Sequence, residues 1–133
     1  MSLGVTHIDH VSVLITDLDR GRHFYRDVLG LKEIAKPRTF DFKALWFEFG
    51  NQQLHLLLKP QADLPSPRHF ALRVADIRMA RVHFHKHRVE TRETTLIPNC
   101  DRFFVLDPDD NRIEIIQWIE PYDPAKIGSG QFD

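Results

Sequence analysis

The chain carries one pattern twice, and that duplication restricts the fold more than any other feature. "IDHVSVLITDLDRGRHFY" (8–25) lies without a gap over "PRHFALRVADIRMARVHF" (67–84), at an offset of 59 residues. His10 then falls on His69, and Asp17 falls on Asp76. Carried forward, the offset sets "FGNQQLHLLL" (49–58) on "PDDNRIEIIQ" (108–117), and His55 lands on Glu114. A repeat of this kind specifies two copies of one supersecondary unit. Identity between the copies is thin. The signal is that polar residues recur at matching places inside otherwise apolar strands.

Each copy reads as one strand, one helix and then further strands. Residues 8–15 alternate, with Val11, Val13 and Ile15 on one face and His10, Ser12 and Leu14 on the other. Asp17 or Asp19 can cap the helix that follows, Phe24, Tyr25, Val28 and Leu29 supply its buried stripe, and Gly30 suits the position after its end. A short strand is expected within 31–41. "KALWFEF" and "QQLHLLL" flank Gly50-Asn51, a hairpin turn. "KPQADLPSPR" (59–68) is a proline-bearing connector. In the second copy "RHFALRV" is a strand, Asp76 caps a helix through about His87, and "RFFVLD" and "RIEIIQW" form a hairpin around "PDDN". From Pro121 onward a loose tail is expected.

Strand parity then orients the polar residues. A pairing that sets Trp46 opposite His55 and Val105 opposite Glu114 puts Leu54, Leu56 and Leu58 on one face, and Ile113 and Ile115 on the equivalent face. Those faces must pack on the helices, because a half-covered sheet buries one side. His10, His55, His69 and Glu114 all point the other way and can converge in a trough. Imidazoles and a carboxylate without thiolate suit Zn, Fe(II), Mn, Ni or Co in an open site better than a structural zinc cage. A buried carboxylate also needs a compensating charge.

Other residues have weaker claims. Arg73 shares the parity of the four and would want an anionic substrate group or a carboxylate as its partner. Trp46 and Phe103 share the same expected face and line the pocket; Glu48 lies near its rim. His83, His85 and His87, with Arg78, Arg81, Lys86 and Arg88 nearby, read as a solvated basic face. Cys100, the one cysteine, has no motif partner and is read as structural. It also excludes a disulfide framework within one chain. At 133 residues and 42% hydrophobic, the chain has the length and composition of one globular domain. A net charge of −1 gives no reason to expect nucleic acid or a membrane surface as a partner. "MSLGVTH" has no basic start followed by an apolar run, so no secretory signal is expected, and the location is expected to be cytoplasmic.

These segments resemble the vicinal oxygen chelate superfamily, which contains glyoxalase I, bleomycin-resistance proteins, fosfomycin-resistance enzymes, methylmalonyl-CoA epimerase and extradiol dioxygenases. "IDHVSVLITDLDRGRHFYRDVLGLKE" looks like its opening motif, "RHFALRVADI" like the opening of its second module, and "FVLDPDDNRIEIIQW" like its closing hairpin. The resemblance covers roughly 5–119. It implies an α+β fold of two βαβββ modules, about 5–58 and 67–119 around the 59–68 linker, forming a cup-shaped mixed sheet, with a tail over 120–133. It also implies one divalent metal held by His10, His55, His69 and Glu114, a small-molecule substrate and a homodimer. Glyoxalase I usually has glutamate where this chain has His55. Glu114 is therefore the remaining carboxylate in the set and the expected proton-transfer residue. Lyase or isomerase chemistry on a metal-chelated, oxygen-bearing substrate is the expected activity. The alternatives are a drug-sequestering binder of the bleomycin-resistance kind and an iron-dependent extradiol dioxygenase.

Overall fold

A computed structural model describes residues 1–132. Two compact units emerge: Met1–Pro67 together with Asp107–Asn111, and Arg68–Leu106 together with the chain from Arg112 onward. Each holds a four-stranded mixed sheet of the same topology. In the first unit β1 (His10–Ile15), β2 (Lys32–Ile34), β3 (Ala44–Phe49) and β4 (Gln52–Leu58) are ordered β1-β4-β3-β2. In the second, β5 (His69–Arg73), β6 (Arg92–Glu93), β7 (Cys100–Leu106) and β8 (Arg112–Trp118) are ordered β5-β8-β7-β6. The first strand of each sheet runs parallel to the last, and the other pairings are antiparallel. This is the α+β architecture of two βαβββ copies that the duplication implies.

In the first unit Asp17 accepts from Arg20 N at 2.8 Å and caps α1 (Leu18–Arg22). The helix then widens into a π-helical stretch, His23–Val28, where Leu29 N donates to the carbonyl five residues back, Phe24 O, at 2.8 Å. Widening turns two consecutive residues inward, so Phe24 and Tyr25 are both buried along with Val28. Gly30, at φ +77°, takes the left-handed conformation that ends the helix. Gly21 is packed closely for a different reason: a Cβ there would stand 2.9 Å from Ile15 Cδ1, so the end of that side chain would have to shift. Beneath lie Ile15, Phe47, Leu54 and Leu56, all but inaccessible to solvent.

In the second unit Asp76 accepts from Arg78 N and Met79 N at 3.0 and 3.2 Å and caps α2 (Ile77–Lys86). Ile77 and Phe84 are its buried residues. Phe84 meets Phe103 edge-on, and the Arg81 guanidinium lies 4.9 Å from the Phe103 ring centre while pairing with Glu93 and Asp101. The chain after Pro121 is not wholly loose, because Asp123 caps a short helix, α3 (Pro124–Ile127). Asp133, the end of that expected tail, lies outside the described residues. Among the described residues no helix is long and apolar enough to cross a membrane.

The two hairpins turn differently. Gly50-Asn51 is a two-residue turn closed by the Phe49–Gln52 pair, with Gly50 at φ +54°. Trp46 pairs with His55, as parity requires. The second hairpin corrects the expected register by one residue: Phe104, not Val105, lies opposite Glu114. Asp107 N donates to Asn111 O at 3.0 Å and Asp110 N to Asp107 O at 3.0 Å, with Asp110 at φ +62°. That is a three-residue turn ending in a left-handed residue, not a loop confined to "PDDN". Phe103 therefore belongs to the helix-facing core, and Phe104 takes the open-face position expected of it.

Asp107 has left the ladder to organise the turn. Its Oδ1 accepts from Asp109 N and Asn111 N, both at 2.8 Å, and its Oδ2 accepts from Asn111 Nδ2 at 2.7 Å and the Tyr25 hydroxyl at 2.6 Å. Burial pushes the Asp107 carboxyl above its ordinary value, against the pull of these donors. Burial and the neighbouring Asp107 charge hold the Tyr25 phenol well above its own ordinary value, so it remains a donor. A carboxyl whose folded value is raised costs stability as pH climbs through that value, and its donors matter most once it is ionised. Tyr25→Phe is therefore expected to cost about 1.5–3 kcal/mol at pH 7 and less near pH 4. Urea unfolding at the two pH values measures this; an equal loss at both would contradict it.

Candidate functional site

The open face of the first sheet is built from β1, β3 and β4. Register places Ser12 beside His55 and His10 beside Gln53, and the side chains of these residues share the face with Trp46. The His10 and His55 rings stack with centroids 4.2 Å apart. On its other side His55 stacks against the Trp46 indole at 3.6 Å, with an interplanar angle of 11°. Phe40 meets Trp46 edge-on at 5.7 Å and stacks on Phe42 at 4.6 Å. A continuous run of rings results, ending at the exposed Phe42. Within it Trp46 Nε1 is buried and has no hydrogen-bond partner.

Hydrogen bonds fix the imidazoles. Asp9 Oδ1 lies 2.8 Å from His10 Nδ1, and because a carboxylate only accepts, Nδ1 is the donor and the ring is oriented with Nε2 outward from that bond. His55 Nε2 lies 2.8 Å from Gln53 Oε1 and donates to it. Burial is the chief reason that His55 protonates below the ordinary histidine range; the adjacent His10 adds to it, and Asp9 opposes.

The open face of the second sheet has a different chemistry. Three registered rows cross it: His69 beside Arg112, Ala71 beside Glu114 beside Phe104, and Arg73 beside Ile116 beside Arg102. His69 Nε2 is 3.0 Å from Glu114 Oε1, and Arg102 Nη1 is 3.4 Å from the same oxygen. Glu114 is buried, so these two N–H donors compensate a charge that burial would otherwise penalise. The Arg102 guanidinium is fixed by Thr95 O, which accepts from Nε at 3.2 Å and Nη2 at 2.9 Å. Arg112 lies over the Phe104 ring at 3.8 Å, and His69 meets that ring edge-on at 5.0 Å.

Of the residues singled out in the sequence, His10, His55 and Trp46 thus meet in one unit, and His69, Glu114 and Arg73 share a face in the other. Glu48 is paired with Lys32 at 3.0 Å. Phe103 is in the core. Cys100 is buried, and burial pushes its thiol up, which disfavours the thiolate. The α2 histidines are exposed along with Arg78, Lys86 and Arg88, whereas Arg81 is engaged in ion pairs. Arg102 and Phe104 escaped notice because the one-residue slip hides which β7 side chains share the face of Glu114; Arg112, two residues before Glu114 on β8, shares that face by parity alone.

Among the described residues no three His, Cys, Asp or Glu side chains form a group that could hold a metal. The donor pairs themselves have suitable chemistry. Two donors each about 2.1 Å from one cation stand roughly 3 Å apart at a right angle, and the His69–Glu114 separation of 3.0 Å matches this. His10 Nε2 is likewise oriented by a carboxylate behind it.

The sequence pattern of the Glyoxalase/Bleomycin resistance protein/Dioxygenase superfamily matches residues 7–115. The Arabidopsis thaliana protein Glyoxylase I 4 is 27% identical over 126 residues, covering 85% of this chain and 71% of that protein. The crystal structure of a glyoxalase family protein from Bacillus anthracis superposes with a TM-score of 0.83 at 30% identity, covering 89% of this chain and 99% of that one. Lactoylglutathione lyase from Agrobacterium tumefaciens has the same fold at a TM-score of 0.69 and 24% identity, covering 86% and 95% of the two chains.

Because Trp46 stacks on His55, its fluorescence reports that imidazole's charge, a protonated imidazole being the quencher. In a Trp118→Phe protein, which leaves Trp46 as the lone indole, emission is expected to hold at pH 7 and to fall only below about 6.5, the ordinary histidine value. The same titration surviving His55→Gln would refute the assignment.

Proposed function

Because the chain belongs to the Glyoxalase/Bleomycin resistance protein/Dioxygenase superfamily, we propose that it is a divalent-metal-dependent enzyme with lyase or isomerase chemistry. Its substrate is a small organic molecule bound through neighbouring oxygens. The observation that carries this reading is the His69–Glu114 pair: two hard or borderline donors 3.0 Å apart on an open sheet face. His69 and Glu114, with His10 and His55, are the proposed donors to Zn, Ni, Mn, Co or Fe(II), in a homodimeric protein. A cation held there supplies Lewis acidity to a bound oxygen.

The remaining steps belong to this chain's own residues. Glu114 is the sole carboxylate of the donor set and the proposed proton acceptor. His69 and Arg102 both engage its Oε1, so Oε2 is the atom assigned to receive and return the proton. Arg102, anchored on Thr95 O, keeps that carboxylate from turning. With one base in place of two opposed ones, the proton leaves and returns on the same side of the substrate. His55, whose Nε2 is occupied by Gln53, is the peripheral donor.

His69→Ala is expected to abolish stoichiometric metal in elemental analysis while leaving the circular dichroism spectrum unchanged; intact metal content defeats the proposal. His55→Ala should lower metal affinity by a smaller factor, and equal losses in a titration would contradict its peripheral role.

The run of rings in the first unit favours a second reading, a sequestering binder for planar aromatic compounds. Metal-stripped protein would then bind 2-naphthol, and Trp46→Ala would lose that binding. If metal-stripped protein ignores the compound, this reading fails.

A further inference from the structure

We infer that the aromatic run on the open face of the first sheet is a subsite for a planar, uncharged ligand with a hydrogen-bond acceptor in its ring plane, such as a nitrogen heterocycle. The Trp46 indole N–H is the donor that selects it. The inference deepens the second reading above and rests on it for the aromatic character of the ligand. The acceptor is the addition, and it follows from Trp46 Nε1, which is buried and has no hydrogen-bond partner. A donor shut away from both water and an acceptor carries a cost that native structures seldom bear. The sheet holds Trp46 in place, opposite His55 on β4 and Ile34 on β2. One face of the indole is covered at 3.6 Å by the His55 ring, which is itself held by Gln53.

The other aromatic neighbour of the indole is less firmly held. Phe40 meets it edge-on with ring centres 5.7 Å apart, and stacks on Phe42 at 4.6 Å. Both lie between Ile34 and Ala44, where the chain has left the sheet. There Phe40 N donates to Pro37 O at 3.2 Å, and Lys36 Nζ donates to Phe40 O at 3.4 Å. Phe42, at the end of the run, is half-exposed. The route to Nε1 therefore passes Phe40 and not His55. A phenyl ring offers an N–H no more than its π face, which is a weak acceptor. A lone pair in the plane of a ligand ring accepts the same hydrogen far better. A planar ligand that displaces Phe40 keeps the stacking on Phe42 and gives the indole its missing partner. Selectivity follows, because only a ligand with an acceptor relieves a cost that the free protein already carries. Phe42 and the indole bear no charge, so a charged ring would lie between them without a counter-ion.

The test uses the full-length protein stripped of metal, so that no cation competes for the ligand. Two isosteric probes are compared: quinoline, which has a ring nitrogen and is neutral at pH 7, and naphthalene, which has none. Trp46 and Trp118 are the two indoles of the chain, so nitrogen-15 labelling gives two indole N–H resonances, and either Trp118→Phe or Trp46→Phe assigns them. Quinoline is expected to move the Trp46 N–H proton downfield, the mark of a hydrogen bond formed, whereas naphthalene at equal occupancy does not. Trp46→Phe should weaken quinoline about tenfold more than naphthalene, the scale of one hydrogen bond lost. In the free protein Phe40→Ala should speed exchange of that N–H with solvent about tenfold. The wild-type resonances keep the test decisive if a variant fails to fold. An indole N–H that ignores quinoline, equal losses of both probes in Trp46→Phe, or exchange unaltered by Phe40→Ala overturns the inference and leaves the aromatic binder standing. Binding of neither probe overturns both. Elemental analysis of the unstripped protein bears on the enzyme proposal alone.

Discussion

Side-chain alternation along half-covered strands is the constraint from which the rest follows. Once Val11, Val13 and Ile15 must face the helix of the first unit, His10, Ser12 and Leu14 must face away. Parallel pairing of β1 with β4 then carries that requirement to Leu54 and Leu56 on one side and to Gln53 and His55 on the other. The same logic runs from Phe70 and Leu72 on β5 to Ile113 and Ile115 on β8, leaving His69, Ala71 and Arg73 with Arg112 and Glu114. No residue of the open faces needs to be chosen for stability. The apolar residues between them are enough to aim them, and the open positions are left to chemistry.

That division explains what the sequence reveals and what it conceals. Strand parity, the duplicated order of elements and the Asp17 and Asp76 caps are all local signals, and the structure has them in place. Register across a hairpin is not local to either strand. Gly50-Asn51 announces a two-residue turn, so the Trp46–His55 pairing follows directly. "LDPDDNR" is ambiguous because Asp107 can end the strand or begin the turn. Only the three-dimensional environment, with Tyr25, Asp109 and Asn111 all donating to its carboxylate, resolves it. One residue's difference moves Phe103 into the core and brings Phe104 and Arg102 to the open face. The π-helical widening at His23–Val28 was equally hidden, since an amphipathic stripe does not distinguish a helix with two adjacent buried residues from an ordinary one with a broad face.

The two copies have kept their cores alike and let their open faces diverge. The first face is imidazole and aromatic, with a buried indole N–H that has no partner. The second is arginine and carboxylate. A core tolerates any apolar residues of suitable volume, whereas each open face is free to follow its ligand. Hence the weak identity between copies: on the open faces His10 keeps its type at His69, whereas His55 becomes Glu114.

Glu114 is where the second face turns from structure to chemistry. A buried carboxylate is tolerated only where donors answer it, and His69 Nε2 at 3.0 Å and Arg102 Nη1 at 3.4 Å both reach the same oxygen, Oε1. Arg102 is itself held by Thr95 O, so the setting of Glu114 follows from the β7–β8 register that places Arg102 one row away on the same face. That register is therefore more than a detail of the turn: it decides which β7 side chain stands by the carboxylate, and with it which carboxylate oxygen these two donors hold.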